Sequence, residues 1–275
     1  MQWREVRWVI DPGLADEAGE RLVAVGETGF VVSTRSDGLV DFTAYGADCA
    51  PTAALELLAE LGARPTASAD LDEAALYLAF HPEAPVPLTS DVWVLPRGDA
   101  PLPDGAFGLH LPVGPAWGDG RHPTTRLAAG RLTAATCAGQ RVLDVGCGSG
   151  LLGVLASKRG AASVDLADLD QHGLRIAAAC CTANHVSARI FTGDLLAAIP
   201  PDTRYDLIVA NLWADLVLTL LADPRLDEVL PQGRLILAGI GEQRRDEVVA
   251  ALHAQRFQLE WEASEAWWWS AEVWR

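Results

Sequence analysis

The stretch from Val142 to Gly150 carries the residues with the clearest chemical meaning. An apolar run ends in Asp144, and three glycines follow at intervals of two residues: Gly146, Gly148 and Gly150. Leucines and alanines at helical spacing begin directly after them. Glycine tolerates the backbone angles of a tight turn and lets a ligand approach the main chain closely. The order strand, glycine turn, helix therefore predicts a loop that binds a nucleoside cofactor, with the aspartate and the three glycines as candidate contacts.

The spacing of these glycines distinguishes between two classes of cofactor. A dinucleotide fingerprint reads G-x-G-x-x-G, whereas this loop reads G-x-G-x-G and has Leu151 where the third glycine would stand. The shorter spacing resembles motif I of class I methyltransferases, which use S-adenosylmethionine (SAM). SAM has no pyrophosphate, so its loop need not form a full anion cradle. The spacing thus favours SAM, and an NAD-linked dehydrogenase is the less favoured alternative.

Three aspartates follow the next two predicted strands. An acid about 20 residues after the loop is expected to bind ribose hydroxyls, and Asp168 lies at that distance, at a predicted strand end. Asp170 lies on the same side of the strand as Asp168, so the pattern alone does not decide which of the two occupies the ribose-binding position. Asp194, after the following strand, falls where a side chain would face the adenine amino group. The alternatives are a solvated acidic turn for Asp168 and a loop or capping role for Asp194.

Two further segments supply candidate residues for binding the cofactor or orienting the acceptor. In the segment His122-Pro123-Thr124-Thr125, proline suits a helix start, and either threonine caps that helix or turns its hydroxyl to a ligand. His122 is the one candidate base near the site, and it also suits a role in fixing the glycine turn before it. Asn211 follows a predicted strand, and its amide offers a donor and an acceptor for orienting an amine. An Asx turn is the alternative there.

Composition restricts the class of protein. The formal net charge of -16 argues against nonspecific nucleic-acid binding and suits a small molecule or a basic protein partner, although solubility explains it equally well. No apolar run approaches the ~20 residues that span a bilayer, and the N-terminus lacks a signal-peptide core. Five cysteines without a CxxC pair indicate a reduced, cytoplasmic protein. A nucleophilic Cys147 is disfavoured because no partner base accompanies it, and no metal site is predicted.

A regular alternation of strands and helices follows Thr124. Strands are predicted at 141–145, 163–169, 188–192, 205–210 and 234–238. This alternation indicates a parallel sheet covered on both faces, and a strand pair at 257–263 and 267–274 ends it. We expect Trp267 and Trp269 to share one face of the last strand and Trp268 to take the other. Core or edge packing is favoured for them over a substrate platform.

The first sixty residues have a different pattern. Their order of short strands and helices, βαββα with a hairpin signal at Ser36-Asp37-Gly38, predicts a small ferredoxin-like α+β module. Prolines then interrupt the chain repeatedly up to residue 115, with one helix predicted at 71–79. The predicted organisation is a recognition domain at 1–64, a structured connector at 65–115 and a catalytic domain at 116–275.

Four segments together resemble the ribosomal protein L11 methyltransferase family (PrmA). That family pairs an AFGTGxHPTT-type segment with a VLDxGCGSG loop, an IDxD strand end and a VANI/L-type motif. In this chain the segments read AWGDGRHPTT, VLDVGCGSG, ADLD and VANLWA, and GIGEQ resembles the family's SGIL-type segment. The glycine loop marks any class I methyltransferase, whereas HPTT joined to VANL is far more discriminating. The similarity covers about residues 112–255.

The resemblance implies a class I methyltransferase, with a Rossmann-like α/β sheet and a C-terminal antiparallel strand pair, preceded by a ferredoxin-like module that recognises the ribosomal protein. It implies SAM as cofactor, contacted by Thr125, Gly146, Asp168 and Asn211, and methylation of lysine or α-amino groups of ribosomal protein L11. The FGTG turn reads WGDG here, and the tryptophan-rich tail has no counterpart. A methyltransferase of the same fold with another acceptor, and a non-catalytic SAM-binding protein, therefore stay open.

Overall fold

The computed structural model divides the chain into two compact units, Met1–Pro82 and Glu83–Arg275. It describes residues 3–24, 30–35, 37–47, 52–71, 84–95, 98, 100–112, 118, 120–135 and 137–275. The helix predicted at 71–79 lies outside the described residues except for Leu71, and Cys49 and Asp119 lie outside them as well. Within the described part of the chain, no helix has the length and apolar character needed to cross a membrane.

The first unit is built from four antiparallel strands and two helices in its described part. They are β1 (Trp3–Ile10), α1 (Ala15–Ala24), β2 (Phe30–Thr34), β3 (Val40–Ala47), α2 (Thr52–Glu60) and β4 (Arg64–Leu71). The strands lie in the order β2-β3-β1-β4, so the predicted ferredoxin-like arrangement is confirmed. The sheet extends beyond residue 64, the predicted domain end, because β4 pairs with β1 along its length.

The second unit begins with a small three-stranded sheet in the region predicted as connector. It contains β5 (Val86–Pro87), β6 (Val92–Leu95) and β7 (Phe107–His110). A larger sheet follows, formed by β8 (Arg141–Val145), β9 (Ser163–Asp168), β10 (Arg189–Thr192), β11 (Leu207–Asn211), β12 (Arg234–Gly241), β13 (Gln258–Glu265) and β14 (Trp268–Trp274). Its helices are α3 (Pro123–Ala134), α4 (Leu151–Lys158), α5 (Gln171–Ala183), α6 (Ala214–Ala222), α7 (Leu226–Val229) and α8 (Arg245–Ala254).

Apolar side chains cover both faces of the larger sheet. Alternate residues of a strand point to opposite faces, and Val142 and Val209 accordingly join a core packed by α3, α4 and α5. Leu143 and Ile208 join a second core packed by α6 and α8. Both faces are thus buried, as expected of a parallel sheet between two helical layers.

The strand order places a ligand-binding crevice near the centre of the sheet. The order is β10-β9-β8-β11-β12-β14-β13, and the first five strands run parallel. The chain moves from β8 toward β10 on one side and then returns to β11 on the other. Ligands of such sheets bind beyond the carboxyl ends of the strands at this switch point. The predicted α/β Rossmann-like fold is confirmed.

The tryptophan-rich tail differs from its predicted geometry. Strand β14 begins at Trp268, so Trp267 lies in the preceding turn and is 39% exposed. The expectation that Trp267 and Trp269 share a strand face was therefore wrong. Trp268 and Trp269 are 2% and 1% exposed, and their burial on opposite faces of β14 agrees with the predicted packing role.

Candidate active site

The glycine loop folds back onto the end of β9. The N–H groups of Gly146 and Cys147 both donate to the carbonyl of Ala167, at 2.8 and 3.1 Å. The Gly150 N–H donates to the Cys147 carbonyl at 2.8 Å and closes the turn before α4 begins. These bonds fix the predicted loop at the carboxyl end of β8, beside the switch point.

Hydrogen bonds assign different roles to the two aspartates whose register was open. Asp168 ends β9, and its carboxylate accepts the N–H of Gly148 at 2.8 Å and the N–H of Asp170 at 2.9 Å. Burial is the main cause of a raised pKa at Asp168. Asp170 instead caps α5 by accepting the N–H groups of His172 and Gly173. Asp168 is therefore the aspartate that contacts the cofactor loop.

The end of β10 adds further groups to this side of the loop. Thr192 pairs with Asp168, and Gly193 N–H donates to the Asp168 carbonyl at 3.0 Å. Asp194 follows, is exposed, and makes no side-chain capping bond with the short helix after it. Leu169 is 69% exposed. It was not a sequence candidate, although an apolar residue between two acids at a strand end was a usable signal.

Asp144 lies beneath the loop. It is 1% exposed, and its carboxylate accepts the N–H of Gly153 in α4 at 2.8 Å. Burial raises the pKa of Asp144 to about 7, and the charge of Asp168 acts in the same direction. Since its surface is enclosed by protein, the carboxylate supports the loop from inside rather than facing the crevice.

The second predicted constellation comes together on the other side of the loop. The Nδ2 of Asn211, at the end of β11, donates to Oγ1 of Thr125 at 3.4 Å. Thr125 lies in the first turn of α3 and is 1% exposed, whereas Asn211 is half-buried. Residues 86 positions apart in the chain thus meet at the carboxyl end of the sheet.

His122 is the N-cap residue of α3. The Nδ1 of His122 lies 2.9 Å from Oγ1 of Thr124 and 3.4 Å from the Thr124 nitrogen, so this ring atom makes the capping contact. The Nε2 of His122 is buried with no hydrogen-bond partner in the described part of the chain. Burial, followed by the charge of Arg126, lowers the pKa of His122 to about 3. A ring that resists protonation this strongly argues against the predicted base role.

Two observations define the surroundings of the loop. The Ser149 hydroxyl donates to the Gly118 carbonyl at 2.9 Å, which ties the glycine turn before α3 to the loop. The ring of Trp268 lies 5.1 Å from that of His122 and 5.5 Å from that of Trp213, so the tail packs against the start of α3 and the residues that follow β11. Neither contact was predicted, because each joins segments far apart in sequence.

Cys147 has no features of a nucleophile. Burial raises the pKa of its thiol well above the ordinary value, and the charges of Asp144 and Asp168 act in the same direction. The thiolate is the reactive form, so a thiol held protonated is unreactive. Among the described cysteines, the four at 137, 147, 180 and 181 are free and buried.

Comparisons with known proteins identify relatives of this chain. Residues 77–274 match the family model "Ribosomal protein L11 methyltransferase (PrmA)". Ribosomal protein L11 methyltransferases of Burkholderia lata and Ralstonia pickettii are each 38% identical over 185 and 184 residues. Both matches cover 66% of this chain, and they cover 59% and 60% of the relatives. The chain thus spans about three fifths of the length of the curated relatives it matches.

A solved structure agrees with these matches. The crystal structure of a ribosomal protein L11 methylase from Lactobacillus delbrueckii subsp. bulgaricus superposes with a TM-score of 0.63 at 29% identity. The superposition covers 69% of this chain and 97% of that one.

Proposed function

The chain belongs to the ribosomal protein L11 methyltransferase family, and on this premise we propose that it transfers methyl groups from SAM to lysine or α-amino groups of ribosomal protein L11. The observation that carries the proposal is the arrangement at the switch point. The glycine loop with Asp168 lies on the β9 side, and the pair Asn211–Thr125 lies on the β11 side. Two sites that flank one loop suit a transfer between two bound molecules, where positioning supplies much of the rate.

The groups on the β9 side fit the nucleoside part of SAM. The half-buried Asp168 carboxylate offers acceptors for ribose hydroxyls. The exposed Leu169 offers an apolar surface for the adenine, and the exposed Asp194 offers an acceptor for its amino group. SAM, when bound, supplies an electrophilic methyl group on a sulfonium. The main chain of Gly146, Gly148 and Gly150 lets its methionine end approach.

Thr125 and Asp144 act through other residues in this proposal. Both are 1% exposed and both hold a neighbour by a hydrogen bond. Thr125 orients the Asn211 amide, and Asp144 holds the first turn of α4 against the loop. His122 caps α3 and takes up no proton from the acceptor during the reaction.

Asn211 orients the methyl acceptor. Since its Nδ2 donates to Thr125, its Oδ1 is the acceptor that the side chain offers to an amine hydrogen. A lysine amine with a reference pKa of ~10.4 must lose its proton before it attacks, and transfer from water into the crevice lowers that pKa. The site thus selects and aims a neutral amine, and the proton leaves to solvent.

The remaining parts of the chain suit a basic protein substrate. The ferredoxin-like unit is assigned to recognition of L11, and the net charge of -16 attracts a basic polypeptide. Free thiols suit the cytoplasm, where the enzyme would act. Neither nucleic acid nor a membrane has a part in the proposed reaction.

The proposal is tested with the purified protein, labelled SAM and purified L11. We expect methyl incorporation into L11, and we expect Asp168→Ala to weaken SAM binding about 10- to 100-fold by calorimetry, because the half-buried carboxylate that accepts the ribose hydroxyls and two backbone N–H groups is lost. Asp246→Ala is the control, since the Asp246 side chain is 94% exposed on α8. SAM binding without incorporation into L11 would refute the acceptor, and normal SAM affinity in Asp168→Ala would refute the cofactor site.

A further inference from the structure

Leu212 lies between Gly146 of the glycine loop and Gly239 of β12. It follows Asn211, and its N–H donates to the Ala238 carbonyl at 2.9 Å, which extends the parallel pairing of β11 with β12. Its side chain packs over Gly146 of the cofactor loop, and its peptide lies against Gly239 of β12. One residue therefore contacts the cofactor loop, the acceptor motif and the neighbouring strand.

Gly239 allows the closest of these approaches. Its φ is +86°, and a Cβ built on it would lie 2.5 Å from the carbonyl oxygen of Leu212 and 2.9 Å from its nitrogen and carbonyl carbon. All three are main-chain atoms, so no side-chain rotation relieves the overlap. A Cβ on Gly146 would instead overlap the end of the flexible Leu212 side chain. Any residue other than glycine at 239 must displace the Leu212 peptide.

We infer that Gly239 is a positioning residue for methyl transfer, which holds the Leu212 peptide and hence the Asn211 amide at the distance the acceptor requires. This inference rests on the proposed function of Asn211. The Leu212 peptide is joined directly to Asn211, so a shift of the peptide moves the amide relative to the loop. A misplacement of about 1 Å at a reacting centre lowers the rate about 100-fold.

The test compares Gly239→Ala with Gly139→Ala in the full chain. Gly139 has a similar φ of +75° but has nothing within 4 Å of a built Cβ, so its alanine variant carries the backbone strain without the contact. We expect Gly239→Ala to lower kcat for L11 about 100-fold and to leave the Kd for SAM within about 3-fold. Gly139→Ala is expected to leave both values near wild type. Equal kcat in the two variants would overturn the inference, as would a SAM Kd that rises in parallel with the loss of kcat.

Combining each glycine variant with Leu212→Ala shows whether Gly146 and Gly239 contact different parts of Leu212. Shortening the side chain in Leu212→Ala removes the atoms that a Cβ at 146 would meet, so it is expected to recover part of the activity that Gly146→Ala loses. It leaves the peptide atoms in place, so Gly239→Ala stays impaired in that background. Recovery of Gly239→Ala by Leu212→Ala would show that the contact acts through the side chain and would overturn the inference.

Hydrogen exchange of the Leu212 amide measures the position of this peptide without a methyl-transfer assay, so it does not depend on which acceptor the enzyme uses. We expect faster exchange of this N–H in Gly239→Ala than in Gly139→Ala, because the bond to Ala238 must lengthen. A wild-type protein that does not methylate L11 would refute the proposed acceptor, and the exchange rates would still decide the position of the peptide. Unchanged exchange, or a Gly239→Ala protein that does not fold beside a folded Gly139→Ala, would overturn the inference.

Discussion

The buried carboxylate of Asp144, beneath the cofactor loop, destabilises the folded protein when it is ionised. Its pKa is about 7 in the folded protein against an ordinary value of 3.8, chiefly because of burial. The folded state therefore binds more protons than the unfolded state between about pH 4 and pH 7, and stability falls as the pH rises through that window. Asp144→Asn keeps an acceptor for Gly153 and has no charge to bury. We expect its free energy of unfolding to exceed that of wild type by about 2 to 4 kcal/mol at pH 8 and by little at pH 4, measured by urea denaturation.

A constant difference between the two proteins from pH 4 to pH 8 would contradict this assignment. The exposed Asp246→Asn is the matched control, since it removes a carboxylate that the protein does not bury.

The substitution His122→Asn tests whether His122 only caps α3 or also acts as a general base. Asparagine is a good N-cap residue, so His122→Asn preserves the cap of α3 and removes the imidazole. We expect kcat to stay within about 3-fold of wild type, whereas loss of a general base costs about 100-fold or more. A pH profile of kcat/KM in which the variant alone lacks a step near pH 6.5 would restore the catalytic interpretation.

The site residues were predictable from the sequence where their separation along the chain is enough to fix their relative positions. The loop and Asp168 belong to one strand–turn–helix–strand unit, so their separation was informative. The choice between Asp168 and Asp170 was not predictable, because strand alternation places both on one side. Only their hydrogen bonds distinguish them, since Asp168 binds Gly148 of the loop and Asp170 binds the first turn of α5. Gly239 begins the GIGEQ segment, but its contact with Leu212 was not predictable because sheet pairing brings the two residues together.

At the scale of elements, a buried ion cluster fastens α3 to the sheet. Glu272 of β14 is fully buried and pairs with Arg131 of α3 and with Arg234 of β12, the latter at 3.0 Å. Removing one member leaves charges without their partner in a poorly solvated place. We expect Glu272→Ala to lower the free energy of unfolding by about 2 to 4 kcal/mol in urea denaturation, because both arginines are partly exposed and regain some hydration.

The comparison variant for this cluster is Asp246→Ala, which breaks the exposed pair with Arg245 and is expected to change stability far less than Glu272→Ala, because solvent screens the exposed pair. Similar losses in the two variants would mean that the buried cluster contributes no more than a surface pair.

The order of elements was predictable, and part of their arrangement was not. Periodicity placed the parallel strands and the final pair, because each strand carries its own apolar pattern. The position of β14 between β12 and β13 depends on pairing between distant segments, which local patterns do not encode. The same holds for β4, which joins β1 across the whole first unit.

At the scale of the molecule, the proposed function places chemistry in the second unit and recognition in the first. All candidate site residues and both large cores lie in residues 83–275. We expect a protein lacking residues 1–82 to bind SAM with a Kd within about 3-fold of the full chain and to have a KM for L11 raised at least about 10-fold. An unchanged KM would remove the first unit from substrate recognition, and a lost SAM site would show that the second unit depends on the first.

The position of β14 between β12 and β13 also affects how a newly made chain folds. Among the described strands β13 pairs with β14 alone, yet the ribosome makes β13 first. Until β14 follows, the edge of β12 is unpaired, and an open edge is a template for aggregation. The ribosome adds 33 residues between the end of β12 at Gly241 and the end of β14 at Trp274, which takes roughly 2 to 7 seconds of translation. We therefore expect the nascent chain to be most open to pairing with other chains along β12 during those few seconds.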